Sequence, residues 1–171
     1  MHDGTVRPRT FRISQRERDY VLSLRQRIMA SGGRAWTYRE GRERNVYIVE
    51  FSRTFLDGHQ IRTKQDVIHY VRGYFDAEGG IAASSGVAPY VYFAQKNRND
   101  LHELRVFLTR LGISCGQIHN PSVLVDPDYW RFYVSRCSLR RFAQTVGSWH
   151  PRKSKLLTAF SRLTTTTAKR T

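Results

Sequence analysis

The sequence predicts an α+β chain made of two copies of one unit, the first copy incomplete. Three observations carry that reading. The stretch ISQRERDYVLSLRQRIMASGG, from Ile13, matches FAQKNRNDLHELRVFLTRLGI, from Phe93, in kind and without gaps at an offset of 80 residues. Short runs of alternating apolar and polar residues flank both stretches, which is strand periodicity. Two further helical patterns bracket the second copy, so its order is helix, two strands, helix, two strands, helix, around an antiparallel sheet.

Taken in order, DGTVRPRTFRISQ reads as strand, turn and strand. The helix after it carries Val21, Leu24 and Ile28 on one face, the spacing of an amphipathic helix. Its counterpart carries Leu101, Leu104 and Leu108, and Gln15, Arg16, Asp19 and Gly32 align with Gln95, Lys96, Asn99 and Gly112. A glycine just past the last turn is a C-terminal cap signal in both. Two strands follow each helix, RAWTYRE and NVYIVEF in the first copy, CGQIHN and YWRFYVS in the second. Alternation places Trp36 and Tyr38, or Ile118, on an apolar face, with Thr37 and Arg39, or Gln117 and His119, opposite. Trp130, Phe132 and Val134 likewise face away from Arg131 and Tyr133. The helix containing VIHYVRGYFDAEGG leads the second copy. SLRRFAQTVGSWHPRKSKLLTAF closes it as a helix, a break at Pro151 and a basic final helix. The expected division is residues 1–57 as an incomplete half, 61–163 as a complete half, and a disordered, low-complexity tail at 164–171.

The 171 residues are 40% hydrophobic, enough for a core. The net charge is +15, from 29 basic against 14 acidic residues, and 24 of the basic residues are arginine. Arginine forks onto phosphates and guanine edges, so nucleic acid is the expected partner. No apolar run reaches membrane-spanning length and no signal-peptide core opens the chain, so a soluble cytoplasmic, nucleoid-associated protein with no membrane partner is expected. Cys115 and Cys137 form no zinc-binding pair and read as reduced thiols.

The segment VRGYFDAEG, Val71 to Gly79, resembles the LAGLIDADG motif of homing endonucleases. Arg72 departs from it where a small residue is usual, and Glu78 replaces an aspartate. The resemblance extends to the order of elements, to a glutamine closing the second strand of each half (Gln15, Gln95) and to a basic start of the last helix. It implies that two motif helices pack side by side, with Gly73 permitting close approach, and that each delivers one acid to a shared site before a glycine such as Gly79. The implied reaction is site-specific hydrolysis of two phosphodiesters across the minor groove, with Mg²⁺ or another divalent cation. By that likeness Glu78 is the metal-binding acid and Asp76 a structural one. Gln95 and Gln15 orient water or phosphate, and Lys153, or its neighbours Arg152 and Lys155, supports developing charge. Asp3 and Gly4 resemble the end of a first motif whose helix would lie upstream of Met1, so Asp3 is the expected second metal-binding acid. The polar sheet faces would read double-stranded DNA through Arg7, Arg9, Arg12, Arg39, Tyr92, Gln117, His119 and Arg131. Two architectures remain open, a monomeric pseudo-dimer and a homodimer. The competing function is a relative that binds DNA or RNA without cutting, as a regulator or an intron maturase.

Overall fold

A computed structural model describes residues 4–41, 44–82 and 88–161. Asp3 and the 164–171 tail lie outside them. The chain divides into two compact units, one ending at Ile61 and the other beginning at Arg62. Both are α+β with antiparallel sheets.

In the first unit β1 (Gly4–Val6), β2 (Thr10–Gln15), α1 (Arg18–Ala30), β3 (Ala35–Arg39) and β4 (Tyr47–Ser52) are followed by a short 3₁₀ turn, Arg53–Leu56. The sheet order is β1-β2-β4-β3, and α1 packs across β2, β3 and β4. Val49 and Phe51 are buried on the side it covers. In the second unit α2 (Lys64–Glu78) runs directly into β5 (Gly79–Ala82). β6 (Tyr90–Gln95), α3 (Arg98–Arg110), β7 (Trp130–Tyr133), a 3₁₀ turn at Arg136–Ser138, α4 (Leu139–Thr145) and α5 (Pro151–Ser161) follow. Its core joins Val71 and Phe75 of α2, Leu101, Leu104 and Leu108 of α3, Phe93 and Phe132 of the sheet, and Phe142 and Phe160 behind them.

The repeat survives in three dimensions within each unit. α1 and α3 start and stop at positions 80 residues apart. They also end alike. Gly32 and Gly112 take positive φ, 84° and 72°, which only glycine adopts without strain. The next residue's N–H then reaches back to the helix, from Gly33 to the Ile28 carbonyl and from Ile113 to that of Leu108, both at 2.9 Å, a Schellman closure. Register repeats as well: β1 sets Gly4 opposite Ile13 as β5 sets Gly79 opposite Phe93.

Two features depart from the alternation read in the sequence. Trp36 and Tyr38 do not face the core; they are 44% and 38% exposed. Ala35 and Thr37 turn toward α1 instead, because the helix sits close over this edge strand and small side chains fit beneath it. Arg39 shares that parity and lines a cleft with Arg18, Val21 and Tyr47, so it lies on the opposite face from Arg12. The second departure is CGQIHN, which forms no continuous strand. Cys115 bridges Val134 and His119 bridges Arg131, leaving four steps on one side against three on the other. The extra residue is a bulge. It lets Cys115 and Ile118, an odd number of positions apart, both pack on the core. Burial pushes the Cys115 thiol up to about 12, so it is an inert packing group.

Candidate active site at the end of α2

A capping box opens α2. Thr63 Oγ1 accepts the Asp66 N–H at 3.1 Å, and Asp66 Oδ2 accepts the Thr63 N–H at 2.8 Å. Asp66 is held below the usual carboxylate range by those donors. The other end carries Glu78, the candidate acid. α2 stops at Glu78 because the chain turns extended at Gly79 (φ −88°, ψ 159°). A Cβ on Gly79 would lie 2.2 Å from the Phe75 ring, so no larger residue fits there. At Gly73 the nearest atom to an added Cβ is Trp149 Cζ3, 3.8 Å away. Within this unit that helix face has room.

Asp76 is buried, 3% exposed. Its carboxylate accepts the Ser148 hydroxyl and, at 2.9 Å, the Trp149 N–H. These bonds tie the last turn of α2 to the loop between α4 and α5, which is the structural part expected of the first acid. Burial nonetheless pushes its pKa up, with Ser148, Trp149 and Lys153 pulling the other way. Arg72, the residue out of place in the motif, reaches the same loop. Its Nε donates to the Val146 carbonyl, and its guanidinium sits 5.1 Å over the Trp149 ring.

Lys153 lies at the start of α5, as its sequence context suggested. Its Nζ donates at 2.8 Å to each of three carbonyls, Phe75, Asp76 and Gly79. An ammonium has three protons, and here all three go to carbonyls where α2 passes into β5, the Phe75 oxygen also accepting the Gly79 N–H. A cation at a helix C-terminus also opposes the macrodipole's negative end. Lys153 therefore clamps the turn that carries Glu78. Arg152 and Lys155 are exposed on the same helix.

Glu78 is the last residue of α2 and is half-buried. Its charge acts on the Tyr74 hydroxyl one turn earlier, and the Gln95 side chain acts on the same hydroxyl. Burial pushes that phenol's pKa up. Gln95 closes β6, its Oε1 accepting the Lys96 N–H at 2.7 Å. Glu78, Tyr74 and Gln95 thus gather at one end of α2. Gln15 closes β2 in the other unit in the equivalent register, opposite Tyr47 as Gln95 is opposite Trp130.

The sheet faces away from the helices carry most of the expected DNA contacts. In the first unit Arg7 and Arg9 are exposed around the β1–β2 turn, and Arg12 pairs with Glu40. Next to Arg12 stands Glu50, which the sequence reading missed. It is 7% exposed, directly opposite both Arg12 and Trp36, and accepts the hydroxyls of Thr10 and Tyr38. The Thr10 hydrogen bond leads in holding its pKa below the ordinary value of 4.5. An acid in an otherwise largely apolar strand, YIVEFS, was the available signal. In the second unit Tyr92, His119 and Arg131 share the outer face, and Gln117 is exposed within the bulge.

A model of the LAGLIDADG-like domain matches residues 65–147. Those residues are a LAGLIDADG-like domain. The chain is also 39% identical over 92 residues to homing endonuclease I-ApeI of Aeropyrum pernix, a stretch that is 53% of this chain and 39% of that protein. The chain thus spans about two fifths of the length of that curated relative. Among solved structures, I-DmoI in complex with DNA and Mn aligns with a TM-score of 0.57 at 14% identity, covering 81% of this chain and 80% of that one. The N-terminal LAGLIDADG domain of DUF199/WhiA aligns at 0.62 and 13% identity, covering 85% and 75%. Both show the LAGLIDADG fold, and the homing-endonuclease relationship rests on the domain match and on the Aeropyrum protein.

Proposed function

We propose that this LAGLIDADG chain serves site-specific cleavage of double-stranded DNA with a divalent cation. The observation that carries the reading is the repeated register. Gly4 pairs with Ile13 as Gly79 pairs with Phe93, so Asp3 precedes the first sheet as Glu78 precedes the second. That equivalence supports two acids in matching roles, each delivered ahead of a glycine.

Mg²⁺ takes one or two carboxylates along with phosphate and water oxygens. Glu78 fits that need: it ends a clamped helix, whereas the Asp76 carboxylate is already taken up by Ser148 and Trp149. Among the described residues no three acidic, histidine or cysteine side chains cluster as a metal cage, which suits a site completed by the scissile phosphate. A bound cation would supply Lewis acidity at that phosphate. The chain's own part is positional. Lys153 and Asp76 fix the last turn of α2, Glu78 holds negative charge at its tip, and Gln95 and Gln15 offer amides that orient water or phosphate oxygens. Arg7, Arg9, Arg12, Gln117, His119 and Arg131 hold the duplex, and each phosphate neutralised makes binding more salt-sensitive.

The test is Glu78→Gln, assayed on a cognate duplex with Mg²⁺. Glu78→Gln should lower cleavage at least about 100-fold, since even the hydrogen-bond partners of metal ligands cost about 10- to 100-fold. Salt-sensitive duplex binding should persist. Cutting by Glu78→Gln at the unsubstituted rate would remove Glu78 from the mechanism. Undiminished binding with no cleavage would favour the second reading, a relative that binds DNA or RNA without cutting, as a regulator or an intron maturase.

A further inference from the structure

The outer sheet face of the second unit gathers its aromatic side chains into one group. Facing away from the helices are Gly80 and Ala82 on β5, Tyr90, Tyr92 and Ala94 on β6, and Arg131 and Tyr133 on β7, with His119 bridged beside Arg131. The rings form one contiguous group. Tyr90 meets Tyr133 edge-on at 5.2 Å and lies 6.2 Å from Tyr92. His119 stacks on Tyr133 at 5.4 Å, and the Arg131 guanidinium sits 5.1 Å from the same ring's centre. Tyr92 lies over Gly80 so closely that a Cβ there would fall 2.2 Å from its Cζ. All five side chains are half-buried, each held by its neighbours with some surface still open to solvent. Glycine and alanine fill the intervening positions and do not cover the rings. The equivalent face of the first unit presents Thr10, Arg12 and Glu50 as hydrogen-bonding groups, with Trp36 and Tyr38 on its edge strand.

Aromatic rings and hydrogen-bonding groups recognise different parts of a nucleic acid. A base pair in a duplex shows its edges in the grooves, where donors and acceptors read it. Its flat faces are covered by the stacked pairs above and below. A fixed set of aromatic rings can take a base face only when that base is unpaired. Base-on-aromatic stacking is sequence-tolerant and contributes substantially to single-strand affinity, while the net charge of +15 attracts the phosphates. We infer that the Tyr90–Tyr92–Tyr133–His119 face, with Arg131, binds single-stranded nucleic acid by stacking unpaired bases. This goes beyond duplex cleavage: it adds a ligand class, and it asks nothing of Glu78.

The experiment titrates the full chain into labelled oligo(dT), oligo(rU) and a matched duplex, reading fluorescence anisotropy. Binding of either single strand is expected, the two arms sorting DNA from RNA. The double substitution Tyr90→Leu, Tyr133→Leu should weaken single-strand binding about tenfold or more, and by a larger factor than it weakens duplex binding. Tyr90→Phe with Tyr133→Phe should restore it, because the rings return without the hydroxyls. Should the leucine variant lose its circular-dichroism signal, an oligo(dT) carrying 2-aminopurine decides on the unsubstituted chain: stacking quenches the probe. Single-strand affinity unchanged by the leucines, binding of duplex alone, or an unquenched probe on a bound strand would each overturn the inference. Failure of the cleavage proposal would leave every one of these readings intact.

Discussion

α1 and α3 are the same helix placed in two different surroundings. Their bounds match at an offset of 80, and both close through a glycine with positive φ. Yet α3 buries Leu101, Leu104, Phe107 and Leu108, against α2, β6 and β7. α1 buries only Tyr20 and Val21, and Leu24 and Ile28 remain half-exposed. Where α3 has Phe107, α1 has Arg27. Local sequence is enough to define the helix and its ends. Depth of burial comes from what packs against it, and in the first unit the described residues include no counterpart of α2.

That difference is sharpest in the core. Leu104→Ala removes a fully buried side chain and should cost about 2–5 kcal/mol by urea denaturation. Leu24→Ala, its counterpart, should cost less than half as much. Equal losses would mean that α1 is as firmly packed as α3, and the contrast would fail.

Acid separates the halves in a second way. The Glu50 pKa is depressed, so its contribution is present above the ordinary glutamate value of 4.5 and is lost as pH falls through the lower folded value. The Asp76 pKa is raised, so its contribution is full below the ordinary aspartate value of 3.8 and is lost as pH rises through the higher folded one. Thermal melting across the acid range should therefore show Glu50→Gln weakening the loss of stability at the lowest pH. Asp76→Asn should flatten a slope of opposite sign that lies above the aspartate range. Two variants with the same pH profile would contradict the assignment.

The smallest expected effect lies at the helix starts. Asn97 caps α3, its side chain accepting the Asn99 N–H at 3.0 Å, whereas Glu17 at the matching place in α1 makes no cap bond. Asn97→Ala should cost about 1 kcal/mol, and Glu17→Asn should gain about 0.5–1 kcal/mol. Differential scanning fluorimetry checks both, and a destabilised Glu17→Asn would show that α1 starts under a different constraint.

Much of this was legible in the sequence because it was local. The helices follow from apolar spacing and their ends from Gly32 and Gly112; the motif placed Glu78 at the tip of α2 without any structure. What was not legible depended on distant partners. Alternation in RAWTYRE fixes that Trp36 and Thr37 face opposite ways. It does not say which side α1 will cover, and the aromatic residues fell on the open side. The bulge before His119 needs the register of β7, which CGQIHN alone does not contain. Lys153 read as a basic residue beside a reaction because its partners, the carbonyls of Phe75, Asp76 and Gly79, lie more than seventy positions earlier and have no side-chain signature.

The clamp on α2 also bears on how these halves can be recombined. The tip that presents Glu78 is held by Lys153, the Ser148 hydroxyl and the Trp149 N–H, so the motif and the α4–α5 segment form one heritable unit though they are far apart in the chain. A chimera that exchanges the motif helix alone would inherit an acid without its anchor. Exchange at Arg62, which carries both segments together, keeps the fastening intact, and is the junction at which such halves can be shuffled.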